Sequence, residues 1–133
     1  MTVSTNLPTA MPGSRVGIVD DDPSVCDSLD VLLRVHGFAT FAYSSGGDFL
    51  ADQPRSPIDC LVIDQHMPAM SGLDVVTALL SRNVRVPTVL ITGRLDRDIS
   101  ERAANLGLLA VLEKPFPVKQ LVSLIHTALA VSA

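Results

Sequence analysis

Four short apolar runs in this chain stop at polar residues of types that do chemistry. Arg15-Val16-Gly17-Ile18-Val19 stops at Asp20-Asp21-Asp22, and Cys60-Leu61-Val62-Ile63 stops at Asp64. Pro87-Thr88-Val89-Leu90-Ile91 stops at Thr92-Gly93, and Ala110-Val111-Leu112 stops at Glu113-Lys114-Pro115. If these stops meet in space, Asp20, Asp21 and Asp64 bring three carboxylates together. At ~4 Å and an effective dielectric of ~20, each like-charge pair costs about 4 kcal/mol. One acid must then keep its proton, the site must stay wet, or a cation must sit there. Mg²⁺ answers that need, because it takes oxygen ligands, one or two of them carboxylates, beside phosphate oxygens and waters. Mn²⁺ accepts the same ligands. Adding the Thr92 hydroxyl and the Lys114 ammonium completes a phosphoryl-transfer set: a carboxylate nucleophile, a metal, and two groups that hold phosphoryl oxygens.

The elements that must position these residues can be read from the apolar periodicity. The runs are short and almost wholly apolar, as strands buried on both faces are. A further run, Phe38 to Tyr43, brings their number to five. Helical patterns lie between them. Pro23 opens the first helix, where its missing N–H costs nothing. Asp22 caps that helix, and Gly37 closes it. Ser44 or Ser45 caps a short helix over Gly46 to Asp52. The turn-rich Met67-Pro68-Ala69-Met70-Ser71-Gly72 leads into a helix from Leu73 to about Arg82. A weaker helix covers Asp98 to Leu106, and a last one starts near Pro117 with Val118, Leu121, Val122, Ile125 and Leu129 as its stripe. This is (βα)5. Strands joined through helices run parallel, with right-handed crossovers. The order 2-1-3-4-5 is taken over from flavodoxin-like sheets, where ligands bind at the carboxyl edge beside strands 1 and 3. In that order the four stops converge.

Bulk properties narrow the function classes. With 133 residues the chain fits one domain. Ten Lys+Arg against fourteen Asp+Glu give a formal charge of -4, so no nucleic-acid footprint is expected. No apolar run approaches the ~20 residues of a membrane span, and Met1 to Ser14 lacks the plan of a secretory signal. A flexible leader over 1–14, a domain over 15–130 and a tail over 131–133 are expected, in a cytoplasmic protein. Cys26 and Cys60 form no metal motif and are read as small buried hydrophobes. His36 and His126 are read as helix residues without a ligand role, and Met67 and Met70 as packing.

The segments Ile18-Val19-Asp20-Asp21-Asp22, Val62-Ile63-Asp64-Gln65-His66-Met67-Pro68-Ala69-Met70-Ser71-Gly72, Ile91-Thr92-Gly93 and Glu113-Lys114-Pro115-Phe116 resemble bacterial two-component response regulators. The resemblance runs from about Arg15 to Leu129 and implies a flavodoxin-like receiver fold. It implies that Asp64 is the phosphoacceptor, and that Asp20 and Asp21 hold the metal, Asp21 more often directly and Asp20 often through water. His66 stands where the family supplies a backbone carbonyl to the metal, so its imidazole is not a ligand. Thr92 resembles the hydroxyl that moves onto the phosphoryl group, and Lys114 the cation that contacts it. The Lys114-Pro115 bond is often cis in relatives, which would help aim Lys114. The implied partners are a histidine kinase or phosphotransfer protein, a downstream protein, and a second copy through the fourth helix, fifth strand and fifth helix. The wording is similar to receivers fused to helix-turn-helix DNA binders, but no such segment follows Leu129. A stand-alone receiver, or a piece of a longer regulator, is expected. It is not a metabolic enzyme and catalyses only its own phosphorylation and dephosphorylation.

One departure matters. Three residues before the lysine, relatives often carry Tyr or Phe, whose ring turns inward on phosphorylation; here Val111 stands, and valine has no ring to swing. Arg94 and the His66 side chain lie near the expected path of the hydrolytic water and are expected to set the acyl phosphate's lifetime. Among other readings, a phosphorylation-independent scaffold predicts loss of an acidic or Lys position, and all are present. An Asp-nucleophile phosphatase wants a second acid two residues after the nucleophile, where His66 stands. A flavin or nucleotide binder wants a Gly-rich or Ser/Thr-rich loop after the first strand, where Asp20-Asp21-Asp22 would repel phosphate.

Overall fold

A computed structural model describes residues 13–132. Of the expected leader, residues 1–12 lie outside the described residues, as does Ala133 at the end of the tail. Five strands and five helices alternate: β1 (Arg15–Val19), α1 (Pro23–Val35), β2 (Ala39–Tyr43), α2 (Gly46–Asp52), β3 (Cys60–Asp64), α3 (Gly72–Ser81), β4 (Thr88–Thr92), α4 (Arg97–Leu106), β5 (Ala110–Glu113) and α5 (Val118–Ser132). All pairings are parallel, and the order is β2-β1-β3-β4-β5, as expected.

Strand pleating sorts the core into two layers. Val16 and Ile18, Cys60 and Val62, and Val89 and Ile91 face one side, where Cys26, Leu29 and Leu33 of α1 meet Leu121, Ile125 and Leu129 of α5. Val19, Leu61, Ile63 and Leu90 face the other, against Phe49 of α2, Leu73 and Leu79 of α3, and Ile99 and Ala103 of α4. β3 and β4 are buried along their whole length, which is why they read as unbroken apolar runs. Cys26 and Cys60 are both buried and unbridged, and burial pushes the Cys60 thiol up to about 12. Met67 and Met70 pack against the second layer, as read from the sequence. His36 sits at the end of α1 with Nδ1 3.0 Å from the Leu32 carbonyl, and the His126 ring lies 4.8 Å from that of Phe38.

Several boundaries shift by a residue, for physical reasons. Phe38 was expected to start β2; its N–H instead bonds the Leu33 carbonyl, while Gly37 at φ 92° bonds that of Arg34. That pair of bonds is the left-handed finish of a helix, so Phe38 closes α1. Pro87 was expected in β4; it precedes the strand and gives its carbonyl to the Leu61 N–H. At the other edge the sheet reaches further than expected. Asp64 pairs in register with Ile91, and Thr92 with Glu113, so both polar residues are the last rungs of their strands. They are held by the ladder rather than by a loop.

Candidate functional site

The carboxyl ends of β1, β3, β4 and β5 form one edge, and the predicted residues gather there. Asp20 follows β1, and its N–H bonds the Tyr43 carbonyl at 3.2 Å. Its Oδ1 accepts the Asp22 N–H at 2.9 Å. Its Oδ2 is buried with no hydrogen-bond partner. Asp22 turns away to the helix, where its carboxylate accepts from the Ser24 N–H and caps α1. Asp64 is 6% exposed although it ends a strand. Carboxylate oxygens of Asp20, Asp21 and Asp64 lie within 4.8 Å of one another, Asp21 being the exposed member.

Lys114 follows β5, and its N–H bonds the Thr92 carbonyl at 2.8 Å; its peptide bond to Pro115 is cis. Its ammonium lies 3.5 Å from Asp64 Oδ1 and 3.9 Å from Asp20 Oδ2. One ammonium does not balance three carboxylates. Burial raises the Asp64 carboxyl above its ordinary value, with Lys114 pulling the other way. Burial also raises that of Asp20, with Asp64 adding to it and the Asp22 N–H opposing. Two acids held up in this way, one of them with an orphaned buried oxygen, are what a hard divalent cation would relieve. The donor set is all oxygen, which fits Mg²⁺ or Mn²⁺.

Thr92 is fully buried. Its hydroxyl lies 3.0 Å from the Arg94 carbonyl and accepts the Arg94 N–H at 3.2 Å. A third neighbour is His66 Nε2, at 3.0 Å. The His66 ring is therefore engaged with Thr92, while the acidic group consists of Asp20, Asp21 and Asp64.

The loop after Asp64 is fixed tightly. The Gly72 N–H bonds the Gln65 carbonyl at 3.2 Å, and a Cβ at Gly72 would stand 2.7 Å from the Asp64 carbonyl oxygen. Only glycine lets α3 start so close to the acceptor's own backbone. Ser71 and Asp74 cap α3 reciprocally. Two residues of this edge were not singled out from the sequence. Gln65 is buried, and its side-chain oxygen accepts the Leu73 N–H at 2.9 Å. Glu113 reaches across to accept the Leu95 N–H at 2.9 Å. Gln65 offered only the signal of a polar residue next to a buried strand, and Glu113 that of a charge beside Lys114.

The sequence profile of the response regulator receiver domain matches residues 16–126. The chain belongs to this family. Among its relatives, the receiver is 36% identical over 116 residues to the response regulator protein TodT of Pseudomonas putida, covering 87% of this chain and 51% of TodT. It is 33% identical over 129 residues to the transcriptional regulatory protein FixJ of Azorhizobium caulinodans, covering 96% of this chain and 59% of FixJ. The chain thus spans about half the length of these curated relatives. A solved FixJ-N structure superposes with a TM-score of 0.81 at 34% identity, covering 89% of the receiver and 94% of that chain. The Vibrio cholerae chemotaxis protein CheY4, at 23% identity and a TM-score of 0.79 over 85% of this chain and 96% of its own, shares the fold. As a response regulator receiver the chain is a component of two-component signalling. No helix among the described residues is long and apolar enough to cross a membrane.

Proposed function

We propose that this receiver accepts a phosphoryl group on Asp64 from a phosphohistidine of a histidine kinase or phosphotransfer protein. One observation carries the reading: Asp64 shares one sheet edge with Asp20, Asp21 and Lys114, and burial holds the carboxyls of Asp64 and Asp20 above their ordinary value. Asp64 attacks phosphorus in line; its new P–O bond forms as the P–N bond breaks, and the imidazole leaves to take a proton. Lys114 offsets negative charge on the phosphoryl oxygens. Asp20, Asp21, Asp64 and the His66 backbone carbonyl would hold Mg²⁺, or Mn²⁺ in its place. When bound, that cation supplies charge neutralisation for the acids and the incoming phosphoryl oxygens.

The acyl phosphate adds negative charge and acceptor oxygens next to Thr92. Thr92 and the segment after it turn to hydrogen-bond them, which biases a two-state equilibrium of α4 and the α4–β5–α5 face. A downstream protein, or a second copy of the receiver, reads that face. Leu109, partly exposed beside Leu124 of α5, supports an apolar contact there. Arg94 and the His66 side chain set how fast water hydrolyses the acyl phosphate. The signalling takes place in the cytoplasm, without direct contact of this domain with nucleic acid or membrane, and the domain catalyses only its own phosphorylation and dephosphorylation.

Intact mass after incubation with a small acyl phosphate tests the reading. One phosphoryl adduct is expected with Mg²⁺, and none with chelator or in Asp64→Ala. No adduct from either the small donor or a phosphorylated kinase would leave a receiver fold working as a scaffold. Equal dephosphorylation rates for wild type, Arg94→Ala and His66→Ala would remove the lifetime role of those two residues.

A further inference from the structure

Thr92 must give its hydroxyl proton to a phosphoryl oxygen if it is to report phosphorylation, and that hydroxyl is already fully engaged. It accepts the Arg94 N–H at 3.2 Å, and has the Arg94 carbonyl and His66 Nε2 both at 3.0 Å. A hydroxyl has one proton. If the proton goes to the Arg94 carbonyl, His66 is a donor to Thr92; if it goes to His66, the imidazole is the acceptor. In either case the proton is recruited elsewhere only by breaking a bond that exists.

The segment after Thr92 is held a second time. Glu113, the register partner of Thr92 on β5, accepts the Leu95 N–H at 2.9 Å with its carboxylate. Thr92 is thus held by His66 from the loop after β3, and the segment that follows it is held at Leu95 by Glu113 of β5. Val111 packs only partly buried against the layer that includes α4 and offers no ring to couple to Thr92.

We propose that His66 and Glu113 are positioning residues that together latch Thr92 and residues 93–96 in the resting arrangement. The latch supplies with hydrogen bonds the two-state character that Val111 cannot supply by packing. It rests on the phosphoacceptor reading of Asp64 given above. On this proposal both contacts belong to the resting state, so removing either shifts the resting–active balance toward active before any phosphoryl group arrives.

The test titrates wild type, Glu113→Ala, Glu113→Gln and His66→Ala with beryllofluoride, a phosphoryl mimic, in saturating Mg²⁺, followed by amide NMR. Losing one latch contact, with a net worth typical of a hydrogen bond, is expected to tighten binding about threefold to tenfold. Glu113→Gln keeps an acceptor oxygen and is expected between wild type and Glu113→Ala. Before any beryllofluoride is added, the Gly93 and Arg94 amide peaks of the variants should already lie part-way along the line from free to bound wild type. General damage would weaken binding, so the sign separates the latch from a merely structural role. Unchanged or weaker binding in folded variants would overturn the latch. So would tighter binding with those free-state peaks unmoved, which would be a charge effect alone. A wild type that binds no beryllofluoride at all would overturn the phosphoacceptor reading beneath it, an outcome distinct from the other two.

Discussion

Replacing Asp20 by Asn should stabilise the metal-free protein and remove most of what Mg²⁺ adds. Asp20 and Asp64 oxygens lie within 4.8 Å of each other, and at ~4.8 Å with an effective dielectric of ~20 their repulsion is about 3.5 kcal/mol. Lys114, at 3.5 and 3.9 Å, opposes it, but its side chain is 36% exposed and its attraction is screened. At the same dielectric the Lys114–Asp20 attraction is about as large as that repulsion, so the two nearly cancel; what Asn relieves is the charge on the buried, unpartnered Asp20 oxygen, about 1 to 2 kcal/mol at neutral pH. Asn keeps an Oδ1 for the Asp22 N–H, so the turn into α1 is preserved. For a domain of this size about 1 kcal/mol corresponds to roughly 3–5 °C, so Tm without metal should rise by about 3–10 °C. Mg²⁺ at 100 times its Kd should stabilise the wild type by about 2.7 kcal/mol, and Asp20→Asn far less. The pH dependence has a definite sign. Asp20 and Asp64 are raised in the folded state, so the folded chain binds more protons than the unfolded one above the ordinary carboxylate value of 3.8. Metal-free stability therefore falls as pH climbs from that value through the raised folded ones, then levels off. The fall should be smaller in Asp20→Asn. Thermal melts at several pH values, with chelator and with Mg²⁺, measure all of this. A variant that melts lower than wild type in chelator, or that gains as much from Mg²⁺, would refute the reasoning.

Other perturbations have equally definite outcomes. Gly72→Ala places a methyl 2.7 Å from both the Asp64 carbonyl oxygen and Leu90 Cδ1; urea melts should show a loss of about 1–3 kcal/mol, and adduct formation should slow because the acceptor's backbone moves. Phe49→Ala removes a fully buried ring packed edge-on against Tyr43 and should cost about 3–5 kcal/mol by denaturant unfolding, with Mg²⁺ affinity retained. Lys114→Ala takes away the ammonium that pairs with Asp64; stopped-flow phosphorylation should slow by about tenfold or more, with the fold intact by circular dichroism.

The sheet was legible because its central strands are buried on both faces, which leaves unbroken apolar runs that end sharply at Asp64 and Thr92. Those stops, read as one edge, predicted the grouping of Asp20, Asp21, Asp64 and Lys114 that the structure contains. The strand order came from comparison with flavodoxin-like sheets and not from the residues, since periodicity carries no information on which strands are neighbours. Side-chain partners between distant positions were also out of reach. Nothing in the spacing of His66 and Thr92, or of Glu113 and Leu95, distinguishes a hydrogen bond from two solvated groups. Phe38 was misplaced because an apolar residue after Gly37 fits the start of a strand and the close of a helix equally well.

The central claim is that Asp64, and neither neighbouring acid, carries the phosphoryl group. An acyl phosphate is reduced by borohydride to the alcohol, which converts the modified aspartate to homoserine. Tandem mass spectrometry of the reduced, digested protein would then locate it. Homoserine at position 64 alone, absent when Mg²⁺ is chelated, is the expected result. Homoserine at position 20 or 21, or at none of the three after exposure to a competent donor, would contradict the account.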